Sequence, residues 1–175
     1  MTTASLARCS FVVFICLLVQ HTILDTIRIA GAHPDLMILL PIAGGYVAGP
    51  ERGAAFGFAT GLIADLLLPT TFGLSALVGC LLGYGVGTLT ASMSERSSVL
   101  TLFVFSAATA SGLTAYAILG AVLGEPLLVS AYLPAALVVC VPTAFLLAAP
   151  VTRVVAWALP APTGAESGSR LKGAR

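Results

Sequence analysis

The sequence predicts an all-α integral membrane protein with about six transmembrane helices, and its composition and charge distribution both point to that class. Hydrophobic residues make up 58% of the 175 residues and charged residues only 9%, whereas a soluble domain carries about 25% charged residues. The mean hydropathy is +1.05. Residues 66–94, 97–124 and 126–152 contain no Asp, Glu, Lys or Arg. Each of these runs exceeds the roughly 20 residues that cross the core of a bilayer.

Six apolar segments follow one another along the chain, separated by short polar connections. The first is expected to be a retained helix rather than a cleaved signal peptide, because its apolar run continues to Leu24 and further spans follow. Residues 1–159 therefore form one transmembrane domain, and the polar residues 160–175 are expected to form a disordered cytoplasmic tail. We place the spans near residues 8–24, 34–50, 53–69, 72–93, 98–123 and 131–157.

Lys and Arg set the predicted orientation of these spans. With six spans and the N-terminus inside, Arg28 is the one cation of the eight that lies outside. This arrangement satisfies the positive-inside rule, so both termini are expected in the cytoplasm. The cations on the inner side are Arg8, Arg52, Arg96, Arg153, Arg170, Lys172 and Arg175.

Two ladders of glycine occupy the middle of the chain. Because residues four apart lie above one another on a helix, each ladder forms a stripe without side chains. Such stripes let helix backbones approach closely in lipid, so we predict that they pack helices together and bind the membrane spans of partner proteins. The first ladder is Gly49, Gly53, Gly57 and Gly61, followed by Asp65, and the second is Gly79, Gly83 and Gly87, followed by Ala91.

Two carboxylates frame the first ladder. Asp35 follows Pro34 at the start of the second span, where the helix dipole favours an acid and no function is needed to explain it. Asp65 lies near the C-terminal end of the third span among apolar residues, where an ionisable side chain is a functional candidate by default. A structural alternative stays open, in which Asp65 pairs with Arg28 or His33 or caps amides near residues 70–73.

Helix-breaking prolines and a few uncharged polar residues also lie inside the predicted spans. Pro41 is predicted in the middle of the second span, where it would remove a helical hydrogen bond and form either a kink or a cavity wall. Pro142 is expected to kink the last span in the same way. Gln20 and His21 in the first span are expected to make hydrogen bonds between helices rather than to bind a ligand.

The sequence contains no pattern typical of an enzyme or a cofactor site. Its four cysteines form no C-x-x-C pair and have no histidine at metal-binding spacing. We recognise no nucleophile with an acid or base partner, no nucleotide fingerprint and no metal set, so neither catalytic residues nor a cofactor are expected. The formal net charge of +1 gives no electrostatic case for binding nucleic acid.

The central motifs resemble those of the rod shape-determining MreD family, over roughly residues 15–90. The family motif falls on Pro34, Asp35, Gly57, Gly61, Asp65, Gly73 and Gly83. The resemblance rests on Gln20, on Pro34-Asp35-Leu36, on Gly53-x-x-x-Gly57-Phe58-x-x-Gly61-Leu62-x-x-Asp65-Leu66-Leu67, on Phe72-Gly73-Leu74-x-Ala76-Leu77 and on Gly83-Tyr84.

This resemblance implies a multi-pass protein of the bacterial cytoplasmic membrane, with a fold similar to the S subunits of energy-coupling-factor vitamin transporters. It also implies a non-enzymatic role in peptidoglycan synthesis and cell shape. The implied partners are MreC and, in the same complex, MreB, RodA and a class B penicillin-binding transpeptidase.

Two transport functions stand as alternatives to the scaffold. In the first, the chain binds a small solute as an S-type transporter subunit does, although the Ala-x-x-x-Ala docking pattern of those subunits is missing from its first span. In the second, Asp65 relays protons in a small carrier. Such carriers usually contain more intramembrane charge and detectable repeats.

Overall fold

The computed structural model describes residues 3–24, 35–67, 72–93, 98–123 and 133–159. These residues form six α-helices and no strand, with a π-helical turn, Gln20–Leu24, continuing the first helix. Pro34 and the predicted tail at residues 160–175 lie outside the described residues. The helices are α1 Thr3–Val19, α2 Leu39–Ala48, α3 Pro50–Asp65, α4 Leu74–Ala91, α5 Ser98–Val122 and α6 Leu133–Ala158.

The length and surface of these helices fit the predicted all-helical membrane protein. The stretches Leu74–Ala91, Val99–Val122 and Ala136–Ala158 are long and apolar enough to cross a bilayer, and two shorter apolar helices accompany them. Large apolar side chains cover the outer surface; Leu146, for example, is 76% exposed. Apolar exposure of this extent is unusual for a soluble protein and suits contact with acyl chains. The count of six spans remains a prediction.

Helix α2 lies at the centre of the molecule. It contacts α3, α4, α5 and α6, and eight of its ten residues are buried. At 1.5 Å per residue its 10 residues are about 15 Å long, roughly half the hydrocarbon thickness. The chain is therefore built around a short helix that other helices surround, whereas α1 lies at the periphery against α6.

The start of α2 corrects the prediction for Pro41. The helix begins at Leu39, so Pro41 is its third residue rather than the middle of a span. The first four N–H groups of a helix have no acceptor within that helix, so proline costs no hydrogen bond at this position. The proline ring is buried. By contrast, α6 runs as one helix through Pro142 and Pro150, and a kink at Pro142 remains a prediction.

A tight turn at Gly49 separates α2 from α3. Gly49 has φ +82° and ψ −178°, a conformation that L residues with side chains rarely adopt. Pro50 follows it as the first residue of α3, where its fixed φ suits the helix and its missing N–H costs nothing. This Gly-Pro pair reverses the chain and turns one apolar segment into a helical hairpin.

Tyr46 connects the central helix to α5. Its hydroxyl is hydrogen-bonded to the hydroxyl of Thr101 at 2.6 Å. Its ring meets Phe105 edge to face, with centroids 6.0 Å apart, and Phe105 is fully buried. Edge-to-face pairs stabilise a core by about 0.5–1.5 kcal/mol beyond the burial of their area. The Tyr46 contacts therefore fix the distance between α2 and α5.

Candidate functional site

The two predicted glycine ladders face each other across the interface between α3 and α4. A Cβ atom added to Gly57 would lie less than 3.0 Å from the carbonyl oxygen of Gly79, and one added to Gly83 would lie equally close to the carbonyl oxygen of Gly53. Real Cβ atoms essentially never make such contacts. The backbones of the two helices are thus in direct contact, which only glycine permits.

Helix α2 joins this contact from the side. A Cβ atom on Gly45 would collide with the backbone of Gly83, and one on Gly57 would lie 3.0 Å from the ring of Pro41. At the far end of α3, Gly61 rests against the backbone of Ser75 in α4. We refer to α2, α3 and α4 as the glycine-packed unit, because glycine backbone joins all three helices.

This packing overturns the prediction that the ladders bind partner spans. The stripes of α3 and α4 are covered by each other and by α2, so no partner helix can reach them. Gly49 also differs from its predicted role, since it lies outside both helices and a Cβ atom added to it would meet nothing within 4 Å. Glycine is needed at position 49 because the residue has a positive φ. Gly87 packs directly against this turn, at Pro50.

Asp65 joins the end of α3 to the start of α4. The residue is 3% exposed, and its carboxylate accepts hydrogen bonds from the amides of Gly73 at 2.9 Å, Ser75 at 3.1 Å and Ala76 at 3.2 Å. Gly73 is the N-cap residue of α4, and Ser75 and Ala76 are in its first turn, where the helix dipole favours an anion. The geometry therefore agrees with the structural alternative for Asp65, which is a cap. Arg28 and His33, its other suggested partners, lie outside the described residues.

Gln20 and Asp35 cap the segment that enters α2. The side-chain oxygen of Gln20 accepts a hydrogen bond from the amide of Leu36 at 2.9 Å, and Gln20 is only 5% exposed. Asp35 accepts a hydrogen bond from the amide of Met37 at 2.7 Å. Gln20 and Asp65 therefore act alike, since each is a polar side chain at the end of one helix that satisfies amides before or at the start of the next, whereas Asp35 caps an amide two residues along the chain.

An apolar groove that was not predicted from the sequence lies between α4 and α5. Its volume is about 590 Å³. A Cβ atom on Gly85 would meet nothing within 4 Å there, and the groove is otherwise lined by apolar residues and Ser111. The hydroxyl of Ser111 donates to the carbonyl of Ala108. A signal existed in the sequence, since Ala107, Ser111 and Ala115 are small residues four apart.

The described residues do not assemble a reactive centre from these groups. No set of three or more His, Cys, Asp or Glu side chains among them is placed to hold a metal, and their four cysteines form no disulfide. The carboxylates of Asp35 and Asp65 instead accept backbone hydrogen bonds. These hydrogen bonds and the glycine contacts hold the described helices in a fixed position relative to one another.

Comparison with known families decides the assignment. A family model described as "rod shape-determining protein MreD" matches residues 4–149. The chain belongs to the MreD family. The match reaches well beyond residues 15–90 and includes α5 and part of α6. Comparisons with curated proteins and with solved structures found no match.

Membership gives this MreD-family chain a role in rod-shape determination in a bacterial membrane. The family is a structural component that determines shape. All described residues of its predicted motif, from Asp35 to Gly83, lie in the matched region. In the structure they serve two purposes, close backbone packing and the capping of helix starts.

Proposed function

We propose that this chain is a non-enzymatic scaffold of the cell-wall elongation complex in the bacterial cytoplasmic membrane. It binds MreC and thereby links MreB filaments to RodA and a class B penicillin-binding transpeptidase. Six spans with both termini in the cytoplasm, in a fold similar to the transporter S subunits, belong to the same proposal. The observation that carries it is the family match over residues 4–149.

The internal use of polar groups and glycines supports a scaffold. Asp65 and Gln20, two buried polar residues of the described core, accept hydrogen bonds from backbone amides. The glycine-packed unit has helices in backbone contact, which leaves little room for them to slide. A rigid unit of this kind presents its outer faces in a constant geometry, as an assembly protein requires.

The groove between α4 and α5 argues against the solute-binding alternative. Solute sites combine an apolar lining with a few polar groups that orient the ligand. Here Ser111 is the polar side chain of the lining, and its hydroxyl is already hydrogen-bonded to Ala108. Asp65, the residue suggested for proton relay, is engaged by three amides. We therefore retain the scaffold as the proposed function.

Co-purification tests this proposal. The chain, co-expressed with MreC and extracted in mild detergent, is expected to retain MreC through affinity and size-exclusion steps. Mass spectrometry of the same sample should find no stoichiometric vitamin or flavin. A retained solute together with failure to hold MreC would overturn the scaffold and favour the transporter.

Two substitutions then map the contact with MreC. Gly85→Leu fills open space in the α4–α5 groove and does not enter the contact between the glycine ladders of α3 and α4. Phe14→Ala removes a side chain that is 59% exposed on α1. Because both positions face outward, each variant is expected to fold, and the one that releases MreC identifies the helix face that binds it.

A further inference from the structure

An arginine and the chain's single tryptophan meet where α1 begins and α6 ends. The guanidinium carbon of Arg8 lies 5.3 Å from the centroid of the Trp157 ring. The neighbouring thiol of Cys9 donates to the carbonyl of Ala158 at 3.6 Å, which fixes the register of the two helices. Trp157 is 55% exposed, so the pair lies on the outer surface of the molecule.

A second arginine lies on the same face of α6. Arg153 precedes Trp157 by four residues, so the two side chains are neighbours on the helix. Arg153 is exposed, and it lies inside the apolar stretch Ala136–Ala158. In a bilayer, a guanidinium within an apolar stretch of this kind is energetically costly unless the side chain extends to the interface or binds an anion.

The described part of the chain supplies neither arginine with a carboxylate partner. Arg8 contacts the Trp157 ring, and no ion pair to an acid in residues 3–24, 35–67, 72–93, 98–123 or 133–159 accompanies either arginine. Two cations and an exposed indole thus share one patch without a balancing negative charge from these residues. An anion from outside the chain would complete the patch.

We propose that Arg8, Arg153 and Trp157 form a binding site for the phosphate group of an anionic phospholipid. Guanidinium groups offer forked donors that match phosphate oxygens, and tryptophan favours the headgroup level of a bilayer. Val154 is 45% exposed and Phe11 is 57% exposed; these side chains offer apolar surface on α6 and α1 for the acyl chains. The phosphate is assigned to a lipid rather than to free phosphate, because Arg153 lies within an apolar stretch long enough to cross a bilayer.

The unique tryptophan makes the site directly measurable. The full chain is reconstituted into phosphatidylcholine vesicles that contain either brominated phosphatidylglycerol or brominated phosphatidylcholine, since bromine quenches nearby tryptophan. Each arginine near an anionic surface strengthens binding by about fivefold. We expect brominated phosphatidylglycerol at equal mole fraction to occupy the site about 5- to 30-fold more strongly than brominated phosphatidylcholine.

Matched variants decide whether this preference comes from the patch. Arg153→Gln should reduce the preference about fivefold, and Arg8→Gln combined with Arg153→Gln should abolish it. Arg52→Gln removes the same charge from the first turn of α3 and should leave the preference intact. A thermal unfolding curve on each variant checks that the fold is unchanged, since Arg8 and Arg153 are exposed and Arg52 is half-buried.

Three results would overturn the proposal. The first is equal quenching by the two brominated lipids in the unsubstituted chain. The second is a preference that survives the double substitution, or that Arg52→Gln reduces as much as Arg153→Gln. The third is release of the quenching by millimolar inorganic phosphate, which would assign the patch to free phosphate. None of these readouts depends on MreC, so the lipid site and the scaffold are tested separately.

Discussion

Replacing Asp65 by alanine should destabilise the protein strongly through loss of a cap. The substitution removes three hydrogen bonds from the carboxylate to the amides of Gly73, Ser75 and Ala76. At about 1 kcal/mol for each bond, the free energy of unfolding should fall by about 3 kcal/mol. For a chain of this size we expect the melting temperature to fall by about 6–12 °C, since 1 kcal/mol corresponds to roughly 2–4 °C.

The variant Asp65→Asn tests how much of this loss of stability comes from each carboxylate oxygen. The amides of Gly73 and Ala76 share one carboxylate oxygen, and the amide of Ser75 uses the other. Asp65→Asn can keep the shared oxygen but turns an NH₂ group toward Ser75. Its loss of stability should therefore be about half that of Asp65→Ala, or roughly 1–2 kcal/mol.

The assay is thermal unfolding in detergent, followed by the loss of the monomer peak in size-exclusion chromatography, together with retention of MreC. Asp35→Ala serves as the control, because it removes the hydrogen bond from the amide of Met37 two residues along the chain and should lower stability by about 1 kcal/mol. Equal effects of Asp65→Ala and Asp35→Ala would refute the capping argument. Normal stability of Asp65→Ala with loss of MreC binding would instead assign Asp65 a direct functional role.

Four further substitutions test helix packing, backbone conformation and a buried hydroxyl by the same assay. Gly57→Ala places a methyl group against the Gly79 carbonyl and should cost about 1–3 kcal/mol as overpacking, whereas Gly85→Ala, which faces open space, should be neutral or stabilise; equal effects would exclude close α3–α4 packing. Gly49→Ala should cost about 1–2 kcal/mol through its positive φ alone, and an unchanged melting temperature would contradict this. Thr109→Val removes a fully buried hydroxyl that has no hydrogen-bond partner among the described residues, so it should raise stability by about 1–3 kcal/mol; a fall would mean that the hydroxyl has an acceptor.

The sequence could predict which helix faces carry only glycine, but not which two of these faces pack against each other. A spacing of four from Gly53 to Gly61 indicates a stripe whether its neighbour is a partner protein or another helix of the same chain. The stripe of Gly79 and Gly83 carries the same signal. The structure pairs the two ladders with each other, and that choice depends on tertiary arrangement, which local periodicity does not contain.

Asp65 shows a similar limit of sequence reasoning. Asp65 has apolar neighbours in the sequence and is the last residue of α3, where the dipole of that helix disfavours an anion. The deciding fact was that α4 starts directly beside the carboxylate, so that the dipole of α4 favours the anion that the dipole of α3 disfavours. The family motif includes both Asp65 and Gly73, but the hydrogen bond between them depends on the tertiary fold and could not be predicted from their spacing.

The apolar segment at residues 34–50 illustrates why composition overestimates helix length. Its hydrophobicity predicts a full span, but α2 covers only Leu39–Ala48. The caps from Gln20 and Asp35 shape the segment that enters the helix, and the positive φ of Gly49 ends it. Hydrophobicity here reflects burial among other helices rather than contact with lipid.

The position of α2 constrains how the protein is made. A helix of 10 residues is too short to be stably inserted by itself, since about 20 apolar residues are needed. It must enter the membrane as a hairpin with α3 through the Gly49-Pro50 turn, while the ribosome has yet to deliver α5 and α6. The final shape therefore waits for the last two helices, and a nascent protein cut short after α4 would lack the contacts that α5 and α6 make with α2.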